Sequence, residues 1–334
     1  MDFDLTMPTV LLLVTLVAAF LNRRVEGKLK GVLEEREFRI RDALLLVASI
    51  TVTVLVVVWI PEFALMAIFL FAYSMLLFIF TYVFSDFSKT KANVFGLVFL
   101  VASLVAGIAS QLQVIPNTSG LYGAVAFYGL SAFILATLIY ERKRSASKER
   151  WYIAILPPAL FTCLYAFYSK SPLWFPYLLD IYGAVFAVLI ILYISSLFSW
   201  KTTVIFAGML TVVDIILVLV TGSMVSAAKS VSGLRLPVLI SLPIMPLILT
   251  EKGLQYMSLG LGDFFFAGLL IVQTQRKFGR AFGVLAAVAM AMSFAIFEIY
   301  LLYYNVVAFP GTLMLMCGWI PIAAIGLIRK PRNQ

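Results

Sequence analysis

Residues 256–273 read YMSLGLGDFFFAGLLIVQ. Asp263 is the one charged residue in this stretch. It follows Gly260-Leu261-Gly262 and precedes an unbroken apolar run over 264–272. The fold depends on what kind of chain surrounds such a carboxylate.

The chain has 334 residues, of which 63% are hydrophobic and 12% charged. Its mean hydropathy is +1.05, more apolar surface than a soluble core requires. Apolar runs of roughly 17–25 residues, the length that spans a bilayer as a helix, recur throughout. Eleven spans are predicted, at about 5–21, 43–60, 63–84, 94–115, 121–140, 152–168, 178–198, 202–222, 258–275, 281–304 and 310–328. No polar run is long enough for a soluble domain, so the expected fold is all-α, a multi-pass transmembrane helical bundle. The N-terminal MDFDLTMPTVLLLVTLVAAFLNRR is acidic before its apolar run and basic after it, unlike a secretory signal. It reads as a retained first span.

The net charge of +9 fits positive-inside loops better than a nucleic-acid partner. Taking the tail and alternate loops backwards as one side, 21 of the 25 Lys and Arg fall on that side. Only 4 fall on the other, Lys170, Lys229, Arg235 and Lys252. This predicts a cytosolic C-terminus and an N-terminus outside. Cys163 and Cys317 both lie in apolar runs and imply no disulfide framework. The chain has no histidine. That excludes an H-E-x-x-H zinc protease, a serine–histidine dyad and histidine-ligated haem or copper.

The longest loop, about 223–257, lies on the outer side and contains RLPVLISLPIMP. Pro237, Pro243 and Pro246 argue against a helix, and the residues between them suit an extended segment.

Four acids fall within or near spans: Asp180, Asp214, Asp263 and Glu298. Burying a charge in a bilayer costs about 2.5–3.5 kcal/mol even on insertion scales. Asp214 lies roughly 10 Å from the outer end of the eighth span and Asp263 roughly 7 Å from the outer end of the ninth. These spans are consecutive and antiparallel, so the two carboxylates are predicted to face each other at similar depth. Such a pair shares a proton and titrates as a unit. One member can then act as general base on a water while the other polarises a carbonyl. Gly260 and Gly262 would let a substrate backbone approach closely, or let the helix start irregularly. The same pair also suits a cation site or proton relay in a transporter, and the acids alone leave both readings open.

Longer motifs distinguish them. The stretch VVDIILVLVTGSMVSAAKS, 212–230, resembles the signal peptide peptidase pattern after its first aspartate, with Met224, Val225, Ala228 and Lys229 in order. LPVLISLP, 236–243, resembles the family's proline-bounded apolar segment, and MSLGLGDFFFAGLL, 257–270, its G-x-G-D motif, with Gly268 in place. The chain thus resembles the signal peptide peptidase and presenilin family of intramembrane aspartyl proteases. The resemblance is specific over about 178–275 and weaker to 328.

It implies a nine-span core over 61–334, with residues 1–60 as an added N-terminal two-span hairpin. It implies that Asp214 and Asp263 are the catalytic pair. Gly260, Leu261, Gly262, Pro310, Gly311, Pro237, Leu239 and Pro243 would line the site or bind substrate. Two departures stand out. Val213 replaces the usual tyrosine, and Pro310-Gly311-Thr312 stands where the family has Pro-Ala-Leu. The literal Pro158-Ala159-Leu160 falls in the wrong span and reads as coincidence. The expected substrates are transmembrane helices or signal-peptide remnants with the N-terminus in the cytosol. Lipid surrounds the protein, no metal or organic cofactor is called for, and the expected location is a prokaryotic plasma membrane. A transporter and an inactive homologue acting as a membrane binding protein are the alternatives.

Overall fold

The computed structural model describes residues 5–32, 38–84, 89–111, 118–140, 146–244, 249–250, 253–254, 256–304, 306 and 308–329. Pro246 lies outside them, as do some of the loop charges counted above, Arg36, Arg142, Lys143, Arg144, Lys252, Lys330 and Arg332.

Each of the eleven expected spans is a helix. In chain order these are α1 (Thr6–Val32), α2 (Ile40–Val57), α3 (Glu62–Phe84), α4 (Lys89–Gln111), α5 (Thr118–Tyr140) and α6 (Ala146–Tyr168). Then come α7 (Leu179–Ser195), α8 (Trp200–Ile215), a short α9 (Ser223–Ser232), α10 (Leu261–Phe278), α11 (Arg280–Tyr303) and α12 (Gly311–Arg329). Among the described residues, six helices are long and apolar enough to cross a membrane. Large apolar side chains face outward, among them Phe71 (68% exposed), Val220 (74%) and Ile296 (64%). That surface suits lipid tails rather than water.

Two corrections concern the loop before α10. First, it opens with a helix, α9, which Gly222 starts from a left-handed conformation (φ 64°). Second, the ninth span was expected from 258, but Tyr256–Gly260 is a strand. Four short strands form here: β1 (Leu239–Pro243), β2 (Leu249–Thr250), β3 (Gly253–Leu254) and β4 (Tyr256–Gly260). β1 pairs antiparallel with β4, from Leu239 opposite Gly260 to Pro243 opposite Tyr256. The β4 backbone is thus held by β1 up to Gly260, and the helix begins only at Leu261, whose N–H reaches the Val238 carbonyl at 3.0 Å. The extended reading of the proline-bounded segment holds for Leu239–Pro243.

The chain divides into two compact units, residues 63–181 and residues 1–62 with 182–334. In the first, Phe127 and Ile134 of α5 pack with Ala92 of α4 and Ile153 and Leu156 of α6. Pro158-Ala159-Leu160 lies in α6 of this unit.

In the second unit, α10 is buried on every side from Phe264 to Thr274, as a helix apolar all round must be. It packs against α1, α8, α11 and α12. α1 lies against α10 and α11, and α2 against α8 and α9, so both helices of the N-terminal segment pack into this unit. Small residues bring the helices together. A Cβ at Gly268 would sit 2.5 Å from Ile191 Cγ1 of α7. At Gly318 of α12, the Cα of Met290 on α11 is 2.7 Å from where a Cβ would lie.

One end of α10 is tied by polar groups. The Gln273 side-chain amide donates to the carbonyls of Ser195 (3.0 Å) and Phe198 (2.7 Å), closing the end of α7. Arg276 donates to Ser195 O at 2.9 Å and pairs with Glu26 of α1, also at 2.9 Å.

Candidate active site

Asp263 is the third residue of α10, with Gly260 as the extended residue capping it. A side chain at this place can fold back onto the cap residue's N–H, as the acid of a capping box does. The Gly260 backbone hydrogen-bonds the Asp263 carboxylate in this way. Extra negative charge is also favoured in the first turn of a helix. The glycine-leucine-glycine run therefore has a local purpose, since it ends the strand and starts the helix under the carboxylate.

Asp214 is buried near the end of α8. Directly after Ile215 the helix widens to a π-helical turn over Ile216–Val220, a local irregularity frequent at functional sites. Asp214 accepts from a segment far away in sequence. The Thr312 hydroxyl donates to Asp214 Oδ2 at 2.6 Å, and the Thr312 backbone N–H donates to the same oxygen at 3.2 Å. Thr312 is the second residue of α12, so Asp214 caps the start of another helix.

The residue before it, Gly311, faces the other aspartate. A Cβ at Gly311 would lie 2.5 Å from Asp263 Oδ1 and 2.8 Å from its Cγ. Only a residue without a side chain fits there while Asp263 holds this position. Two consecutive residues thus touch the two carboxylates, Gly311 against Asp263 and Thr312 against Asp214. The carboxylates are near enough for their charges to interact.

A cavity of about 570 Å³ opens beside Asp263. Its wall is more apolar than polar and carries Asp263 but not Asp214, which is covered by its contacts to Thr312. Of the sequence-predicted residues, Gly260, Leu239 and Gly311 are on the wall with Asp263. Leu261 is buried in the first turn of α10 and Gly262 is exposed. Pro237 is buried ahead of β1, Pro243 ends that strand, and neither is on the wall. Pro310 is buried next to Gly311, and its carbonyl accepts from Met314 N at 3.4 Å. Glu298 is fully buried in α11 and Asp180 lies in the first turn of α7; neither is on the wall.

The sequence did not point to Thr312 as a partner of Asp214, nor to Phe294, Leu301, Leu302, Phe309 and Met314, which build one side of the cavity. Met224, Val225 and Ala228 from the motif after Asp214 reach the wall on α9, while Lys229 is exposed.

These features define a class: a polytopic helical membrane protein with two carboxylates brought together at one buried site. The chain belongs to the signal peptide peptidase family, whose model matches residues 34–310. It is thereby an integral membrane protein of a family of intramembrane aspartyl proteases. No curated protein and no solved structure gave a match.

Proposed function

We propose that Asp214 and Asp263 are the catalytic pair of an intramembrane protease that hydrolyses peptide bonds in transmembrane segments or signal-peptide remnants. The observation that carries this reading is the Gly311-Thr312 pair, which touches both carboxylates at once. The ionised aspartate takes a proton from a water, and the water oxygen attacks the scissile carbonyl carbon. The protonated aspartate gives its proton to the carbonyl oxygen. The gem-diol intermediate then collapses: the second aspartate, now ionised, takes back a hydroxyl proton as the C–N bond breaks, and the first aspartate gives its proton to the leaving nitrogen. None of these steps calls for a metal or cofactor.

A helix hides its carbonyls in its own hydrogen bonds, so the substrate unwinds before attack. β1 belongs to a two-stranded sheet with β4, and its second edge offers main-chain groups to an extended substrate. Leu239 of β1 lines the same cavity as Asp263, which supports this reading. The cavity's apolar wall suits the side chains of a membrane helix. The enzyme sits in the plasma membrane of a prokaryote with its N-terminus outside, and accepts helices whose N-terminus is cytosolic.

The test is cleavage of a transmembrane peptide in detergent or liposomes by the purified protein. Wild type cleaves, with a bell-shaped pH dependence from the shared proton, and Asp214→Asn and Asp263→Asn do not. Equal product from wild type and both variants defeats the reading.

A further inference from the structure

The two aspartates of such a pair are chemically alike, and the sequence does not say which is the base. The structure treats them differently. Asp214 Oδ2 receives two donors from Thr312, a hydroxyl at 2.6 Å and a backbone N–H at 3.2 Å. A hydroxyl bond to a charged oxygen is stronger than one to a neutral oxygen, so this donor favours the ionised form of Asp214. The second donor belongs to the first turn of α12, where a negative charge is favoured. A backbone N–H can only donate. An oxygen that accepts from it and from the hydroxyl together is the unprotonated oxygen of the group.

Asp263 has a different surrounding. Its neighbour from α12 is Gly311, which offers no side-chain donor, and the cap of its own helix gives it the Gly260 backbone group. Asp263 also faces the cavity, where a substrate carbonyl would lie.

We propose that Thr312 is a positioning residue that assigns the roles: it holds Asp214 ionised as the base that activates water, so that the shared proton rests on Asp263 as the acid. This rests on the protease reading above and sharpens it. Thr312 stands where the family pattern has leucine, so the hydroxyl donor is a feature of this chain.

Among the described residues, the Lys and Arg side chains on the helices packed against α8 gather toward its other end, away from Asp214. α8 packs against α2, α10 and α12. α10 contributes Asp263. Its Arg276 and Lys277 lie at the other end of α8, where Arg276 donates to Phe198 O and Lys277 sits 4.6 Å over the Trp200 ring. Arg39, Arg41 and Asp42 flank the start of α2, and that start is fixed to the same end by Phe38 N donating to Leu197 O at 2.7 Å. Arg329 ends α12, well past Trp319, which itself contacts Trp200. Lys201 is in the first turn of α8 and Lys229 is exposed on α9. Tyr256 lines the cavity, and Glu298, fully buried in α11, lies between Phe294 and Leu301 of its wall; the Thr312 variants leave both in place, so a difference between their profiles reports on the hydroxyl.

The experiment is the pH profile of kcat/KM for peptide cleavage by the full-length wild type, Thr312→Val and Thr312→Ser. Valine keeps the shape and the backbone N–H but removes the hydroxyl, and serine restores it. A hydrogen bond to a charged group corresponds to a shift of about one pH unit. Losing it makes the base harder to ionise, so the acid limb of the valine profile moves up by about one unit and the serine profile coincides with wild type. If the valine variant does not fold, Thr312→Ala carries the same test. An unshifted acid limb without the hydroxyl, or an equal shift in the serine variant, overturns the proposal while leaving the protease reading standing. Absence of cleavage by wild type, or cleavage unaffected by Asp→Asn, defeats the protease reading itself.

Discussion

Gly268→Ala is a sharp probe of the link between packing and catalysis. The added methyl would lie 2.5 Å from Cγ1 and 2.8 Å from Cγ2 of Ile191, which is fully buried. Ordinary contact begins near 3.4 Å, so α7 and α10 must separate by about 1 Å locally or Ile191 must leave its rotamer. Overpacking of this kind costs about 1–3 kcal/mol. The catalytic cost is larger. Gly268 is five residues from Asp263, about 7 Å along the same helix, and a misplacement of about 1 Å at a reacting group costs on the order of a hundredfold. The assay is paired: thermal unfolding in detergent and kcat/KM on a transmembrane peptide. The expected result is a modestly lowered midpoint with kcat/KM down about a hundredfold. Ile191→Ala alone leaves a cavity and destabilises by about 2–5 kcal/mol. In the double variant the new methyl occupies part of that cavity, so the two changes are less than additive and activity recovers. A Gly268→Ala enzyme with wild-type turnover, or a double variant no better than the sum, would refute the argument that this contact sets the position of Asp263.

Gly311→Ala places a methyl 2.5 Å from Asp263 Oδ1; the displaced group is the end of a side chain, so the unfolding midpoint holds while kcat falls at least about tenfold, and retained activity contradicts this. Gln273→Leu removes the donor to the Ser195 and Phe198 carbonyls and costs about 1–3 kcal/mol, read as a lower midpoint; an unchanged midpoint shows the carbonyls are satisfied otherwise. For substrate direction, two reporters with one core sequence are inserted in opposite orientations by swapping flanking lysines. The one with its N-terminus in the cytosol is cleaved faster, and equal cleavage or the reverse preference overturns either the topology or the inference from it.

How much of this was legible in the sequence depends on whether the cause was local. The spans were legible because apolar runs of bilayer length have few other uses. The strand at Tyr256–Gly260 was not, because nothing within those residues distinguishes an apolar strand from the first turn of an apolar helix. Their state is fixed by β1, 13 to 21 residues away in register. The polar clasp of Gln273 and Arg276 was hidden for a related reason. A glutamine near the end of an apolar run reads as the edge of a span, and only the fold brings the Ser195 and Phe198 carbonyls to it.

The two aspartates show the same division within one site. Both carboxylates solve their burial by sitting at a helix N-terminus, where unsatisfied N–H groups and the helix dipole favour negative charge. Asp263 uses its own helix, so its support is written beside it: a glycine cap at 260, the acid three residues on, an apolar run after. Asp214 sits near the far end of α8, where a carboxylate is disfavoured by its own helix dipole. Its support comes from α12, 98 residues later, through Thr312. Locally it is therefore an acid in the wrong place, and only the pairing with a second acid made it a candidate. The segment Pro310-Gly311-Thr312 departs from the family's tripeptide, and each member has a physical task here. Pro310 precedes the helix and frees its first turn, Gly311 leaves room for Asp263, and Thr312 supplies two donors to Asp214. A departure from a family pattern is thus read here as a change in how the aspartates are held, and the valine and serine variants of Thr312 separate that from loss of function.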